Sequence, residues 1–440
     1  MKIATKAPTG TTAALGVLFA GAFMMGTSDE LVFGMLDLIS VGLAVSVPAA
    51  GALVSANALG LMIGGPLLTL LTTRFDRRTV VLAATAAFVL LNLAPVLIDE
   101  YSLFLGSRVL VGAVQGLFIA AAITTATSMV PPERTGRAMA VVISGFATAS
   151  ALGLPLFTLL GQTLGWRTSF GAVVVTGLVV LLASTAVIPS VPTMRESRAV
   201  RHQLRHVLAP PVLAVLALCC LVFTAVQSAW TYLVPYLGEV TGVTGAAVTA
   251  FLLLYGVASM IGSAAGGRFA DANAARTLVV GTIGMGASLM GMYLFGGSPV
   301  VMALTVLCVG LCMGMTPAMQ HRVETLAGPG ALLASSLPVS AVYAGIAGGS
   351  LTGGAAIDLA GLPAAVLTGA VIAMTAAGVA VVSRSLRPAA APTSEQEAPE
   401  PLAVETIHQP KDTCHDDQPT SGRRPRHVRR STHDPDRRPA

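Results

Sequence analysis

The sequence predicts an all-α integral membrane protein of twelve transmembrane helices, arranged as two pseudo-symmetric six-helix bundles. Of the 440 residues, 54% are hydrophobic and 11% are charged, and the mean hydropathy is +0.77. A water-soluble core could not bury that much apolar surface. About a dozen apolar stretches follow one another between residues 10 and 386, each near the roughly 20 residues that cross a bilayer. The chain is therefore expected to be built almost entirely of membrane-spanning helices.

The apolar stretches fall into two groups of six. The first group predicts helices at 13–36, 48–71, 79–98, 103–127, 138–162 and 168–188. The second group predicts helices at 211–236, 246–267, 277–296, 299–318, 332–356 and 363–386. We therefore expect an N-terminal bundle at 1–188, a Pro- and Arg-rich cytoplasmic linker at 189–210, and a C-terminal bundle at 211–386. Residues 387–440 are rich in Pro and charge and predict a disordered cytoplasmic tail.

The basic residues predict the orientation in the membrane. Before Arg387, 15 of the 17 Lys and Arg residues lie in every second gap between the apolar stretches. Basic loops stay in the cytoplasm, so both termini are expected inside, in a multi-pass protein of the plasma membrane. The same loops and the tail account for most of the pI near 9.1, and nucleic acid is not an expected partner.

The two halves repeat one another in short segments. The gap after the second helix of each half has the same pattern: Arg74-Phe75-Asp76 followed by Arg78-Thr79-Val80-Val81, and Arg268-Phe269-Ala270-Asp271 followed by Arg276-Thr277-Leu278-Val279. The fifth helix of each half has small residues every four positions: Gly145, Ala149 and Gly153, and Gly345, Gly349 and Gly353. Such faces indicate close helix packing or, with equal weight, a role in gating. Duplicated bundles of this kind are typical of secondary transporters, whose substrate sites lie near the midplane.

Three charged residues lie well inside predicted helices, away from the cytoplasmic helix ends. Asp29 and Glu30 occur in the first helix, and Arg108 occurs near the outer end of the fourth. A charge at such depth costs about 2.5 to 3.5 kcal/mol, so each should pair or face water. Asp29 and Arg108 lie at similar depths, about 10 and 8 Å from the outer helix ends. One hypothesis is that an acid takes up and releases a proton while Arg108 tunes its proton affinity; the alternative is a fixed ion pair that sets helix packing.

Other polar or aromatic side chains in the spans are candidates for the lining of a substrate cavity: Asn57, Gln115, Gln227 and Trp230. Each polar group alone is more often an interhelical hydrogen bond. Trp230 clusters with Tyr232 and Tyr236, and anchoring at the membrane interface is the favoured interpretation of the cluster. The alternative is a helix end broken at Pro235 that forms an outer gate. Enzyme motifs are absent from the sequence, and no cofactor or metal is expected.

Several short motifs between residues 12 and 386 carry a family resemblance. They are Gly26-Thr27-Ser28-Asp29 with Gly34, Ser46-Val47-Pro48-Ala49-Ala50-Gly51, Ser55-Ala56-Asn57-Ala58-Leu59-Gly60, Ala126-Thr127-Ser128-Met129-Val130-Pro131, Gly165-Trp166-Arg167 and Thr231-Tyr232-Leu233-Val234-Pro235-Tyr236. Together they resemble twelve-span major facilitator superfamily transporters, in the drug:proton antiporter branch that includes chloramphenicol-resistance and arabinose-efflux permeases.

The resemblance implies roles for particular residues. Arg108 with Gln115 and Gly116 is similar to the proton-linked motif of the fourth helix, and Asp29 matches the acid of the first helix, whereas Glu30 stands where an aromatic residue is usual. Residues assigned to gating by the resemblance are Arg74, Asp76, Arg77, Arg78, Asp271, Gly153 and Pro155. The loop signature is partial, because Thr73 replaces an Asp and Asp76 replaces a Gly. The fifth-helix antiporter signature has Phe157 where a small residue is typical.

These features predict proton-coupled efflux of a small, neutral or weakly charged, moderately apolar compound, such as the antibiotic chloramphenicol. The expected partners are this substrate, protons and membrane lipid, and the protein is expected to be a monomer. A sugar or nucleoside exporter is the alternative within transport. A non-transporting membrane sensor that signals through its tail is the alternative outside transport, and a membrane enzyme is less favoured than either.

Overall fold

The computed structural model describes residues 9–189, 209–327 and 337–384, and the regular elements in these ranges are helices. The first half contains α1 (Thr9–Gly34), α2 (Leu36–Gly42), α3 (Val47–Leu59), α4 (Gly65–Leu71), α5 (Arg77–Leu97), α6 (Tyr101–Ser128), α7 (Thr135–Thr148), α8 (Leu154–Leu164) and α9 (Trp166–Val187). The second half contains α10 (Pro210–Trp230), α11 (Leu233–Tyr236), α12 (Ala246–Phe295), α13 (Pro299–Cys312), α14 (Thr316–Ala327), α15 (Leu337–Ala360) and α16 (Leu362–Ser383). Nearly all of the predicted linker and the whole predicted tail lie outside the described residues.

The described helices are consistent with twelve membrane spans. Ten helical segments are long and apolar enough to cross a bilayer. One of them, α12, has 50 residues, which at 1.5 Å per residue is about 75 Å and more than twice the hydrocarbon thickness. It is interrupted at Asn273, which has φ −164° and ψ 88°, and therefore comprises two spans. The 24-residue helix α15 supplies a further element of membrane length. The predicted all-α membrane fold is confirmed.

Some predicted boundaries differ from the structure for identifiable reasons. The predicted loop between residues 267 and 277 is helical on both sides of Asn273, whose side-chain oxygen accepts a hydrogen bond from the Arg276 backbone N–H (2.9 Å) and so caps the next span. The predicted helix 211–236 breaks after Trp230 and resumes as α11. Pro235 cannot donate a backbone hydrogen bond to the preceding turn, which explains why the regular helix stops there.

Two spans widen into a short π-helix immediately before a proline. Residues Gly60–Gly64 join α3 to α4, and residues Ala149–Gly153 join α7 to α8. Pro66 and Pro155 follow these segments. A proline ring crowds the carbonyl one turn earlier, and a wider turn relieves that clash while the helix continues.

The two halves pack their helices in the same way. A Cβ atom placed on Gly145 would lie 2.6 Å from the Phe19 carbonyl oxygen, and one on Gly345 would lie 2.5 Å from the Cys220 carbonyl oxygen. In each half, the fifth span therefore touches the backbone of the first span. The packing interpretation of these small residues is confirmed, while their role in gating stays a prediction.

A second contact repeats between the second and fourth spans of each half. A Cβ atom on Gly60 would lie 1.9 Å from the Val109 carbonyl oxygen, and one on Gly262 would lie 2.4 Å from the Leu311 carbonyl oxygen. Only glycine permits such an approach. The pseudo-symmetry predicted from short sequence repeats is thus present in the helix packing.

Candidate functional site

Three predicted site residues, Asp29, Asn57 and Gln115, lie close together although they belong to three different helices. Asn57 on α3 donates a hydrogen bond from its Nδ2 to Asp29 Oδ1 on α1 (2.5 Å). The same nitrogen lies 3.5 Å from Gln115 Oε1 on α6. Asn57 and Gln115 are buried, whereas Asp29 is half-buried. Asp29 is therefore held by neutral amides while part of its side chain stays accessible.

Arg108 reaches the same level of α1 but binds the neighbouring residue. Its side chain is 1% exposed, and its Nη2 donates a hydrogen bond to the Ser28 carbonyl oxygen (2.8 Å). Within the described residues, Arg108 forms no ion pair with Asp29, although its charge is near enough to act on Asp29 through space. Asp29 and Arg108 thus lie at a similar depth, as predicted, but they do not form a fixed ion pair.

Neutral groups that the sequence reasoning missed surround the guanidinium. Asn92 Oδ1 on α5 accepts hydrogen bonds from Ser28 Oγ (2.7 Å) and from Arg108 Nη1 (3.4 Å). The Arg108 guanidinium carbon also lies 5.9 and 5.7 Å from the ring centroids of Phe104 and Phe170. Such rings attract a cation through their faces. Arg108 is therefore stabilised by an amide, a backbone carbonyl and two aromatic rings.

Glu30 faces a different environment from Asp29. Ser150, in the π-helical segment between α7 and α8, donates a hydrogen bond from its Oγ to Glu30 Oε1. Tyr255 and Tyr343, from the second half, lie within electrostatic range of Glu30. Consecutive helical residues diverge by about 100°, which explains how the two acids make different hydrogen bonds, Asp29 with Asn57 and Glu30 with Ser150.

Several buried polar atoms beside Asp29 have unused hydrogen-bonding capacity. Asn57 Oδ1, Gln115 Nε2 and Arg108 Nε form no hydrogen bond with any residue that the structure describes. Most buried polar atoms in proteins are paired. Spare donors and acceptors allow the same side chains to serve either an ionised or a protonated carboxyl, since the protonated form also donates a hydrogen bond.

Reciprocal hydrogen bonds join the two halves on the side predicted to be outer. Ser55 Oγ donates to the Ala347 carbonyl oxygen (3.0 Å), and Ser350 Oγ donates to the Gly51 carbonyl oxygen (2.7 Å). Tyr232 Oη donates to the Ser350 carbonyl oxygen (2.8 Å). These contacts connect α3 and the end of α10 with α15.

The aromatic cluster at the end of α10 is not an interfacial anchor. Trp230, Tyr232 and Tyr236 are all buried. Tyr236 Oη donates to the Met292 carbonyl oxygen (2.9 Å), and Trp230 stacks on Tyr255 with ring centroids 3.7 Å apart. The anchoring interpretation was wrong, because all three rings are buried against other helices, Trp230 and Tyr236 within the second half and Tyr232 also against Gly51 of the first. The break between Trp230 and Leu233 agrees with the alternative of a broken helix end.

A cavity of about 390 Å³ lies within the second half, toward the side predicted to be cytoplasmic. Its lining comes from α10, α12, α14 and α15 and contains aromatic, thioether and neutral polar side chains but no Asp, Glu, Lys or Arg, and it includes Phe223, Ser263, Thr316, Met319, Gln320 and Tyr343. The four predicted cavity residues lie elsewhere. Asn57 contacts Asp29 and Gln115, and Gln227 and Trp230 are buried in the second half, so their role in substrate binding stays a prediction.

The predicted gating residues lie near the same side as this cavity or at the π-helical segment. Arg74 is exposed and lies over the Phe75 ring, and Arg78 donates to the Thr185 carbonyl oxygen (2.5 Å). Asp76 and Arg77 are half-buried, and Asp271 is exposed. Neither of these acids forms an ion pair within the part of the chain that the structure describes. The gating role assigned to these residues by the resemblance stays a prediction.

Gly153 ends the second π-helical segment, and Pro155 lies in the first turn of α8. A Cβ atom on Gly153 would lie 2.2 Å from Thr27 Oγ1 on α1. This close approach places the fifth span directly against the helix that carries Asp29 and Glu30.

A pseudo-symmetric membrane bundle with ionisable groups inside it and a cavity between its helices defines a secondary transporter. A family model for the Major Facilitator Superfamily matches residues 18–337. The chain belongs to this superfamily, whose members transport small molecules and are not enzymes. It is therefore a multi-pass membrane protein.

Relatives and solved structures agree with this assignment. The chain is 32% identical to the inner membrane transport protein YdhP of Escherichia coli (strain K12), over 78% of this chain and 88% of that protein. It is 30% identical to a chloramphenicol resistance protein of Streptomyces lividans, over 77% of this chain and 87% of that protein. The crystal structure of a bacterial homolog of the human lysosomal transporter Spinster, inward-facing and unoccupied, superposes with a TM-score of 0.76, covering 87% of this chain and all of that one at 14% identity.

Proposed function

We propose that this protein exports a small, neutral or weakly charged, moderately apolar compound across the plasma membrane in exchange for protons. Both termini lie in the cytoplasm, and the protein acts as a monomer. Chloramphenicol is the first compound to test, because relatives that cover most of the chain are named for resistance to it or for its efflux.

The observation that carries this proposal is the pair of half-buried acids on α1 with unlike surroundings. Asp29 lies within reach of the Arg108 charge, whereas the described partners of Glu30 are a Ser150 hydroxyl and two tyrosines. An ionised carboxyl without a nearby cation is costly in a membrane. Glu30 is thus the acid whose charged form has less support among the described residues, and we assign the exchanged proton to it first.

The proposed proton site and the proposed substrate site lie in different halves of the bundle. The ionisable groups Asp29, Glu30 and Arg108 belong to the first half, and the uncharged cavity belongs to the second. Tyr343 belongs to both sites, because it lines the cavity and lies within electrostatic range of both acids. A cavity without charged side chains favours a neutral substrate with apolar surface and a few hydrogen-bonding groups.

The arrangement of the halves supports the inward-facing state in which an exporter would load its substrate. The reciprocal serine hydrogen bonds close the predicted outer side, and the cavity lies toward the predicted inner side, so this conformation loads substrate from the cytoplasm. Proton uptake from outside at Asp29 or Glu30 then accompanies the return of the empty carrier.

Expression in a drug-sensitive bacterium without its major efflux pumps tests the proposal. Export of chloramphenicol and a panel of neutral and cationic drugs is measured with and without a protonophore. Asp29→Asn and Glu30→Gln should abolish protonophore-sensitive export while the protein remains in the membrane. Asp358→Asn is the matched control, because Asp358 is an exposed acid near the C-terminal end of α15. Release of a sugar or nucleoside without drug resistance would favour the alternative exporter, and retained export in the Asp29 and Glu30 variants would refute proton coupling at this site.

A further inference from the structure

The environment of Arg108 contains a neutral amide where a counter-ion is usual. Asn92 is fully buried, and its Nδ2 donates to the Phe88 carbonyl oxygen one turn earlier on α5 (2.9 Å). Because that nitrogen is engaged with an acceptor, the amide oxygen must face the two donors opposite, Ser28 Oγ and Arg108 Nη1. The amide orientation is therefore fixed by chemistry on both sides.

Three helices meet at this amide. Asn92 belongs to α5, Arg108 to α6 and Ser28 to α1, and Ser28 immediately precedes Asp29. The guanidinium is thereby tied to the backbone of α1 by the Ser28 carbonyl and to α5 by the Asn92 amide. Neither bond uses the Asp29 carboxylate, which instead accepts its hydrogen bond from Asn57.

The side chain at position 92 determines whether the Arg108 charge is neutralised there or remains available to act on Asp29. Asp and Asn have nearly the same shape, but a carboxylate at this position would form a charge-assisted pair with the guanidinium. That pair would neutralise Arg108 and add a negative charge near Asp29. An amide holds the guanidinium in place without doing either.

We propose that Asn92 is a positioning residue for proton coupling: it fixes Arg108 against α1 while leaving the positive charge of Arg108 available to Asp29. This inference rests on the proposed function and adds a residue to it. The other titratable groups near Asp29 are Glu30 beside it and Tyr343 from α15, and neither contacts the Asn92 amide.

Carboxyl labelling measures this effect without a substrate. N,N′-dicyclohexylcarbodiimide reacts with protonated carboxyl groups in apolar surroundings, and mass spectrometry of the purified full chain separates labelling at residue 29 from labelling at residue 30. Labelling of Asp29 is followed across pH in the wild type and in Asn92→Asp, Asn92→Leu and Asn92→Ser.

The three variants have different expected outcomes. Asn92→Asp should raise the midpoint pH of Asp29 labelling by about one unit or more, because the new carboxylate takes up the Arg108 charge. Asn92→Leu should lower it, because the guanidinium loses its amide partner and turns to Asp29. Asn92→Ser keeps a neutral acceptor and should stay near the wild type.

The labelling midpoint is expected to rise in Asn92→Asp and to fall in Asn92→Leu. These opposite shifts distinguish an electrostatic role of Asn92 from a purely structural one. An unchanged midpoint in both Asn92→Asp and Asn92→Leu, or a downward shift in Asn92→Asp, would overturn the proposal. If one variant fails to insert, the other decides by its sign. Loss of both from the membrane would assign Asn92 to folding alone and also overturn it. A protein that shows these shifts but exports no compound would contradict the proposed function and leave the role of Asn92 standing.

Discussion

Ser350 Oγ donates a hydrogen bond to the Gly51 carbonyl oxygen across the boundary between the two halves (2.7 Å). One turn further along α3, Ser55 returns the contact by donating to Ala347 (3.0 Å). Both hydroxyls are buried, so water does not replace these bonds while the halves are closed. Alternating access requires both bonds to break together, and they therefore set part of the energy that holds the predicted outer side shut.

Removing the two hydroxyls should open the predicted outer side. A buried hydrogen bond of this kind contributes about 0.5 to 1.5 kcal/mol, so Ser55→Ala with Ser350→Ala should shift the equilibrium between closed and open states by about fivefold or more. Spin labels at Val41 and Leu359, which are 82% and 88% exposed, report the separation of the halves. We expect a larger population at long distance in the double variant.

The control for this measurement is Ser144→Ala. The Ser144 hydroxyl is exposed and donates to the Val141 carbonyl oxygen within α7, so its loss should leave the distance distribution unchanged. An equal response in both proteins would show that the inter-half hydrogen bonds do not hold the outer side closed.

Tyr232 occupies a slot formed by glycines of both halves. A Cβ atom on Gly51 would lie 2.3 Å from Tyr232 Oη, and one on Gly354 would lie 2.6 Å from the same atom. Gly51→Ala should therefore favour the open outer side by about 1 to 3 kcal/mol through overpacking. The same spin-label pair measures the shift. Gly378→Ala is the control, because a Cβ atom there would meet nothing within 4 Å, and it should have no effect. A response at Gly378 as large as that at Gly51 would show that the packing of Tyr232 against Gly51 does not hold the outer side closed.

Sequence patterns were sufficient for the spans because each depends on a strong local signal. An acid or amide in an apolar span is conspicuous, so Asp29, Asn57 and Gln115 were singled out, but Asn57 and Gln115 were assigned to a substrate cavity and their position beside Asp29 was not predicted. Asn92 carried the same signal and was overlooked. Ser28 gave none, because hydroxyls in helices usually bond to their own backbone, as Thr27 does to Phe23.

The burial of the aromatic cluster could not be predicted for a different physical reason. Trp and Tyr at a helix end are typical of the membrane interface, and the local sequence around Tyr232 fits that pattern. Its burial depends on α3 and α15, which are distant in sequence. Contacts between the two halves depend on residues far apart in sequence. The sequence of a single helix is therefore not sufficient to predict which of its side chains these contacts bury.

The Ser150 hydroxyl provides a test of Glu30. It donates to the Glu30 carboxylate, and a donor stabilises the charged form of an acid. Ser150→Ala should therefore make Glu30 hold its proton to higher pH, and the pH profile of substrate-driven proton release in proteoliposomes should shift upward. Ser144→Ala, six residues earlier in the same span, is the control. An unshifted profile in Ser150→Ala would remove Glu30 from the proton-carrying step.

Filling the cavity of the second half should separate substrate binding from protonation. Val342 lines this cavity, and Val342→Trp adds a bulky ring to it, so export of the tested drug should fall at least about tenfold because a bound ligand needs most of its surface enclosed. Carbodiimide labelling of Asp29 and Glu30 should keep its wild-type pH dependence. Val371→Trp is the matched control, because Val371 is 56% exposed on the outer surface of α16. Full export by Val342→Trp would place the substrate elsewhere in the bundle, and the buried positions Gln227 and Trp230 would then be the next to substitute.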